Sequence, residues 1–72
     1  MERQKKYLGL VVGENLRNLI KESDLKTQEE FAFRFGTDVR TVSRWINHGI
    51  DSLETIQQIA DFFDLDVLTI LS

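Results

Sequence analysis

The sequence predicts an all-α fold, a compact bundle of five short helices formed by a single chain of 72 residues. Apolar residues recur at spacings of three and four along most of this chain, which is the period of an amphipathic helix. Residues that commonly cap helices stand directly before several of these stretches. The sequence contains no proline that would interrupt them. A chain of this length has room for one domain.

The first helix is predicted from about Leu8 to Ser23. Its apolar stripe consists of Leu8, Val12, Leu16, Leu19 and Ile20. The residues before it, 1–7, are mostly polar and basic. We therefore expect residues 1–7 to form a flexible basic arm and residues 8–72 to form a helix-turn-helix domain.

The second helix is predicted over Gln28–Phe35. Thr27 and Glu30 have the spacing of a capping box, in which the Thr27 hydroxyl accepts from the Glu30 amide and the Glu30 carboxylate reaches back to Thr27. Gly36 follows, and glycine readily takes the left-handed conformation that ends a helix. Every Phe is expected in the core except Phe33, which falls on the outer side of this helix.

A third helix is predicted at about Val39–Asn47, with Asp38 as a candidate N-cap. Val42, Trp45 and Ile46 share one face, which we expect to pack against the bundle. Two short helices joined by a tight turn at a glycine are the pattern of a helix-turn-helix. The outward face of this third helix carries Thr37, Arg40, Thr41, Ser43, Arg44 and Asn47.

Two further helices complete the predicted bundle. Ser52 is a candidate N-cap for the fourth helix. Its apolar stripe consists of Leu53, Ile56, Ile59, Ala60 and Phe63. Asp66 is a candidate cap for a short fifth helix over residues 67–71. These residues would also suit an extended strand by propensity, and the cap favours the helix.

The composition excludes several classes of site. The absence of cysteine rules out a disulfide, a thiolate metal site and a thiol nucleophile. His48 is the one histidine, and Asp61, Asp64 and Asp66 lack the glycine and glutamate of a calcium loop. We therefore expect no metal, no cofactor and no enzymatic activity. The longest apolar runs have three residues, so we expect no membrane span and a cytoplasmic location.

The charge is unevenly distributed along the chain. The net charge is −3, whereas a nucleic-acid-binding protein is usually basic. Residues 1–49 carry all nine Lys and Arg residues against seven Asp and Glu, and residues 50–72 carry five acidic residues and no Lys or Arg. The asymmetry indicates that the first part of the chain faces an anion, although solvated acidic helices would give the same pattern.

The outward face of the third helix suits the major groove of DNA. Arg40 and Arg44 are four residues apart and therefore share this face. Arginine can donate two hydrogen bonds to O6 and N7 of guanine, and Val39 can contact a thymine methyl group. The alternative is that both arginines belong to an ordinary solvated face. The predicted base contacts are Val39, Arg40, Ser43 and Arg44.

Three segments carry a family resemblance, namely GENLRNLIKESDL at residues 13–25, TQEEFAFRFGTDVRTVSRWIN at residues 27–47 and SLETIQQIADFFDLDVLTIL at residues 52–71. In order and spacing they resemble the phage-repressor and Cro superfamily of helix-turn-helix proteins, of the xenobiotic-response-element type. The resemblance implies a lambda-repressor-like fold with a recognition helix, about residues 38–47, in the major groove. It also implies a bacterial or phage transcriptional regulator, usually a repressor, that binds a palindromic operator in double-stranded DNA as a homodimer.

The resemblance implies contacts to DNA phosphates as well. Gln28 matches the glutamine at the start of the family's second helix, Arg17 matches a basic position on its first helix, and Asn47 matches a residue after the recognition helix that often touches phosphate. Helix N-termini also bind phosphate through their amides. The predicted phosphate contacts are Arg17, Thr27, Gln28, Thr37, Asn47 and His48. In a departure from the family, the loop of residues 48–51 is short and has no Lys or Arg.

A second hypothesis is a protein-interaction or dimerisation module of the same fold, including an antitoxin-type regulator. The net charge of −3 and the loop without Lys or Arg favour this hypothesis. The closing segment also has more apolar residues than a short terminal helix can bury. Leu65, Leu68 and Leu71 could form a homodimer interface or a junction with a further domain.

Overall fold

Five α-helices make up the described part of this computed structural model, which covers the backbone of residues 2–71 and the side chains of residues 8–71. They are α1 (Glu2–Glu22), α2 (Gln28–Phe35), α3 (Val39–His48), α4 (Leu53–Phe62) and α5 (Val67–Leu71). These residues contain no strand. The predicted all-α bundle is therefore confirmed, and the largest difference from the predicted helix bounds is at the start of α1.

The first helix begins at Glu2 and not at Leu8, where the apolar stripe predicts its start. Residues 2–7, which the sequence predicts as part of a flexible basic arm, are helical in their backbone. Glutamate, arginine, glutamine and lysine are good helix formers, so a helix can continue through such a segment without an apolar stripe. Met1 and the side chains of residues 2–7 lie outside the described residues, and the division into an arm and a domain stays a prediction.

A tight turn at Gly36 connects α2 to α3. Gly36 has a φ of 97°, in the left-handed region that a residue with a Cβ rarely adopts. The amides of Gly36 and Thr37 both donate to the carbonyl of Ala32, which closes the end of α2. The turn therefore forms at the glycine where the sequence predicts it.

Side chains at the helix starts satisfy free backbone amides, as the sequence predicts for Thr27, Asp38 and Ser52. The Thr27 hydroxyl accepts from the Glu30 amide at 3.1 Å. The second half of the predicted capping box is wrong, because the Glu30 carboxylate accepts from Arg34 Nε at 2.9 Å. A charged donor one turn along the helix is a stronger partner than a backbone amide.

The core is centred on Phe31, which is fully buried. Its ring lies 5.1 Å from those of Phe35 and Phe62 and 5.6 Å from that of Phe63, measured between centroids. The prediction that every Phe except Phe33 is buried is wrong for Phe62, which is 37% exposed. The Phe62 ring contacts the rings of Phe31, Phe35 and Phe63 in edge-to-face geometry and is otherwise partly open to solvent. Phe33 is 80% exposed.

The predicted apolar stripes of α1 and α4 face this core, except at their first residues. Val12, Leu16 and Ile59 are fully buried, whereas Leu8 and Leu53 are exposed. Leu53 is the first residue of α4, and Leu8 directly precedes Gly9, whose backbone contacts Ile50. The stripe predicts the buried face of each helix but not how far along it the burial extends.

Helix α5 returns to pack on α1. The Asp66 carboxylate accepts from the Leu68 amide at 2.9 Å and begins the helix, as predicted. Asn15 Nδ2 donates to the carbonyl of Ile70 at 2.8 Å, which ties the end of α5 to the middle of α1. Ile70 is buried and Leu68 is exposed. The last helix therefore has one packed and one open side.

Two glycines on α1 allow its backbone to contact the backbone at the end of α3 directly. A Cβ added to Gly9 would lie 2.6 Å from the carbonyl oxygen of Ile50, and one added to Gly13 would clash with the carbonyl oxygen of Trp45. The Ile50 amide also donates to the Gly9 carbonyl at 3.2 Å. These contacts fix α3 on α1 and therefore fix which face of α3 is displayed.

Candidate nucleic-acid interface

Helix α3 turns one face to the core and the other to solvent. Val42 is fully buried, and Trp45 and Ile46 are half-buried and pack against the core. The prediction that these three residues face inward is confirmed. Arg40 and Arg44 are exposed on the remaining surface of the helix.

The four residues predicted to contact bases differ in their exposure to solvent and in their hydrogen bonding. Arg40 and Arg44 are exposed, and Val39 is 39% exposed at the first position of the helix. Ser43 is half-buried, and its hydroxyl accepts from Asn47 Nδ2 at 3.2 Å. The arginines and the valine can therefore reach a ligand directly, whereas Ser43 would first have to exchange a hydrogen bond.

Neither arginine of α3 is tied up in an ion pair with another described side chain. The ion pair formed within residues 8–71 joins Arg34 to Glu30 on α2. An arginine locked to a carboxylate would be a poor ligand for a base or phosphate, because its donors would already be used. Arg40 and Arg44 keep their donors available.

Asp38 places a carboxylate at the start of the same surface. Its Oδ1 accepts from the Thr41 amide at 2.7 Å. Hydrogen bonding with the amide and the hydroxyl of Thr41 holds the pKa of Asp38 below its ordinary value of 3.8. Desolvation opposes this effect, and the positive charges of Arg40 and Arg44 lower the pKa by smaller amounts. The group is therefore an ionised carboxylate at neutral pH.

A basic groove lies at the N-terminal end of α3. It has a volume of about 520 Å³ and is lined by Arg17, Ile20, Lys21, Lys26, Thr27, Gln28, Glu29 and Val39. We call this the N-terminal groove. Three of its residues are cationic and one is acidic, and the first residues of α2 form part of its wall. Its charge and its helix N-terminus both suit a phosphate group.

A second groove of the same volume lies at the C-terminal end of α3. It is lined by Gly9, Leu10, Arg44, Trp45, Asn47, His48, Gly49, Ile50 and Asp51. We call this the C-terminal groove. Its lining contains one arginine, Arg44, and one acidic residue, Asp51, so it has no excess of cationic over acidic residues. It offers hydrogen-bond donors from arginine, asparagine and histidine rather than an excess of positive charge.

The two grooves gather most of the predicted phosphate contacts. Arg17, Thr27 and Gln28 lie together in the N-terminal groove, and Asn47 and His48 lie together in the C-terminal groove. The residues that sequence analysis assigns to phosphates therefore occupy both ends of α3. Their assignment as phosphate contacts stays a prediction.

Three predicted site residues line neither groove, namely Thr37, Arg40 and Ser43. Thr37 is half-buried in the turn, where its amide donates to the Ala32 carbonyl. Arg44, predicted as a base contact, lines the C-terminal groove beside predicted phosphate contacts. Its position is therefore compatible with a contact to either a base or a phosphate.

Sequence analysis missed Lys21 and Lys26, which lie in the N-terminal groove with Arg17. Lys21 could have been found, because it is four residues after Arg17 on α1 and therefore shares its face. Lys26 gives no such signal. It lies between α1 and α2 with a φ of 67°, a left-handed conformation that non-glycine residues seldom adopt.

Other kinds of site find no support among the described residues. Residues 8–71 contain no group of three His, Asp or Glu side chains that could hold a metal ion. No helix in the described part of the chain is both long and apolar enough to span a bilayer.

The comparisons with known proteins agree with this geometry. A sequence model described as Helix-turn-helix matches residues 16–70, which include α2 through α4 and all but the last residue of α5. Neither the curated proteins nor the solved structures gave a significant match.

Proposed function

We propose that this chain, which belongs to the Cro/C1-type helix-turn-helix family of DNA-binding regulators, is a cytoplasmic repressor that binds one specific sequence of duplex DNA. The observation that carries the proposal is the division of α3 into two faces. Val42 anchors one face in the core, and the other presents Arg40 and Arg44 without ion-pair partners among the described side chains.

In this proposal α3 enters the major groove, which is wide enough for an α-helix. Arg40 and Arg44 donate to guanine O6 and N7, the commonest specific contact of arginine with a base. Val39, at the first position of the helix, contacts a thymine methyl group. Ser43 adds a polar contact once it releases Asn47.

The two grooves beside α3 would accept the sugar-phosphate backbones that border the major groove. Cations in the N-terminal groove neutralise phosphate charge, and this term dominates the affinity of most DNA-binding proteins. Phosphate contacts also fix the register of the helix, whereas the base contacts select the sequence. Asn47 and His48 in the C-terminal groove, and Thr37 outside both grooves, would add further hydrogen bonds to the same backbones.

The proposed active form is a homodimer on a palindromic operator. Leu68 supports this, because it is 70% exposed while Leu65 and Leu71 beside it are half-buried. Pairing these leucines across a two-fold axis would cover an apolar surface that α5 leaves open. The two copies of α3 would then lie one duplex turn apart, about 34 Å.

The decisive experiment is selection of binding sites from a pool of random duplexes. The wild-type chain should enrich a palindrome, and a variant carrying Arg40→Ala and Arg44→Ala should not. Arg34→Ala is the matched control, because Arg34 is an exposed arginine on α2 that lines neither groove. Enrichment of no sequence by the wild type, even at low salt, would refute the proposal.

The homodimer has its own test, which is light scattering with and without Leu68→Ser. This variant should be monomeric and should lose affinity for the full palindrome much more than for a half-site. Leu53→Ser is the control, because Leu53 is just as exposed but lies on α4. A wild-type chain that is monomeric both alone and on DNA would contradict the dimer.

A protein-interaction module, including an antitoxin-type regulator, is the second candidate. Phe33 favours it, because an aromatic ring 80% exposed on α2 is a common anchor of a protein interface. The duplex selection separates the candidates, since a module that binds only protein enriches no sequence. A chain that enriches a palindrome and also binds a protein through Phe33 would be the antitoxin-type combination.

A further inference from the structure

The start of the recognition surface carries a negative charge that the proposed DNA contacts do not use. Asp38 directly precedes Val39 and is exposed beside Arg40. Its hydrogen bond with the Thr41 amide, 2.7 Å long, holds the carboxylate at the first turn of α3. A helix that enters the major groove would carry this carboxylate in with it.

The held carboxylate still has capacity to accept hydrogen bonds. An ionised carboxylate has about four acceptor positions and no donor. The Thr41 amide occupies one of these positions. The others remain open to a ligand, and an ionised group that loses its water at an interface needs a donor in return.

DNA offers few donors to such a group. The phosphates are anionic and would repel it. In the major groove guanine presents the acceptors O6 and N7, and thymine presents the acceptor O4. Only the N4 amino group of cytosine and the N6 amino group of adenine donate there. Adenine places the acceptor N7 beside its amino group, which would repel the second carboxylate oxygen.

We propose that Asp38 is a specificity-determining residue that accepts a hydrogen bond from the N4 amino group of a cytosine in the operator. This inference rests on the proposed function, because it requires α3 to lie in the major groove. Arg40 lies two residues from Asp38 at the start of α3 and donates to guanine in the proposed function. The start of α3 would therefore favour a G·C-rich half-site. One cytosine in it would be selected by its hydrogen bond to the Asp38 carboxylate.

The proposal predicts a change of base preference rather than a general loss of binding. The wild-type chain should prefer cytosine at one half-site position, by about 5- to 150-fold over thymine or guanine. Asp38→Asn should move that preference to adenine, because an asparagine amide pairs with adenine N6 and N7. Asp38→Ser should reduce it to about twofold or less while the other positions of the half-site stay selected.

Both substitutions preserve the fold, because asparagine and serine are as good N-caps as aspartate. Thermal unfolding of each variant checks this directly, and a weakened fold would lower binding to every sequence alike. The experiment is the random-duplex selection, run side by side on the wild type, Asp38→Asn and Asp38→Ser.

The outcomes separate this inference from the proposed function. A wild-type motif that is unchanged in both variants overturns the role of Asp38 and leaves the repressor standing. A wild-type chain that selects no sequence overturns both. A cytosine that becomes adenine in Asp38→Asn and unselected in Asp38→Ser supports the inference.

Discussion

The two grooves that flank α3 have the same volume but differ in charge. The N-terminal groove contains three cations and one acid, whereas the C-terminal groove contains one arginine, one acid and one histidine. Phosphate neutralisation depends on cations, and hydrogen bonds from neutral groups add little salt dependence. In the proposed complex, the N-terminal groove supplies most of the electrostatic affinity and the C-terminal groove orients the helix.

The net charge of −3 no longer counts against DNA binding once this distribution is considered. Of the five acidic residues of 50–72, two lie on α4 and two lie between α4 and α5, and Asp51 is the one that lines a groove beside α3. Charges more than about 10 Å from the phosphates are largely screened at ordinary salt. In the proposed complex the local excess of cations in the N-terminal groove therefore matters more than the total charge.

The largest effect is expected from neutralising the N-terminal groove with Arg17→Gln, Lys21→Gln and Lys26→Gln together. Losing three phosphate contacts should lower affinity about 100- to 1,000-fold at 0.1 M salt and reduce the slope of log K against log salt by about 2.7. Filter binding or fluorescence anisotropy across a salt series measures both. His48→Gln in the C-terminal groove is the control, and an equal change of slope there would abolish the distinction between the grooves.

The next effect concerns the backbone contact that shapes the C-terminal groove. Gly9→Ala forces a Cβ against the Ile50 carbonyl, and overpacking of this kind typically lowers the free energy of unfolding by about 1–3 kcal/mol. Urea unfolding measures the loss. DNA affinity should also fall, with an unchanged salt slope. Asn18→Ala, an exposed change on the same helix, should leave both quantities near wild type.

The substitution Arg44→Ala shows whether the C-terminal groove only orients α3 or also binds phosphate. As a base contact, Arg44→Ala should weaken operator binding by about 1–3 kcal/mol and relax the preference at one position. Competition assays with operators mutated at single positions measure this. An equal loss on every sequence, together with a reduced salt slope, would instead assign Arg44 to phosphate and make the two grooves more alike.

The smallest expected effect is a pH dependence of the free energy of unfolding, which comes from Asp38 at the start of α3. The pKa of Asp38 is depressed in the folded chain, so its carboxylate stabilises the fold above the ordinary pKa of 3.8. That contribution is lost as the pH falls through the lower folded pKa. Urea unfolding from pH 7 to pH 2 should show the wild type losing stability relative to Asp38→Asn only below about pH 4. A difference in stability between wild type and Asp38→Asn that stays constant from pH 7 to pH 2 would contradict the lowered pKa of Asp38.

Local signals in the sequence predicted the helix-turn-helix well. Thr27, Gly36 and Asp38 act through backbone groups a few residues away, so their structural roles follow from spacing alone. The burial of Val42 follows from the helical period for the same reason. Features of this kind do not depend on how distant segments meet.

Features that require distant segments were predicted less well. The N-terminal groove joins residues of α1, the following loop, α2 and α3, so Lys26 could not be assigned to it from spacing. The start of α1 was placed too late because residues 2–7 have helix propensity but no apolar stripe. The exposed side of Phe62 depends on how much of α4 the neighbouring helices cover.

The close fit of α1 to α3 through Gly9 and Gly13 has a consequence for engineering. The scaffold that holds the recognition helix is made of backbone contacts and inward side chains, and the outward residues of α3 contribute little to it. New residues at positions 39, 40 and 44 should therefore redirect the chain to another DNA sequence with little loss of thermal stability. By contrast, a methyl group added at either glycine would change the orientation of α3 on α1, whichever residues α3 carried at positions 39, 40 and 44.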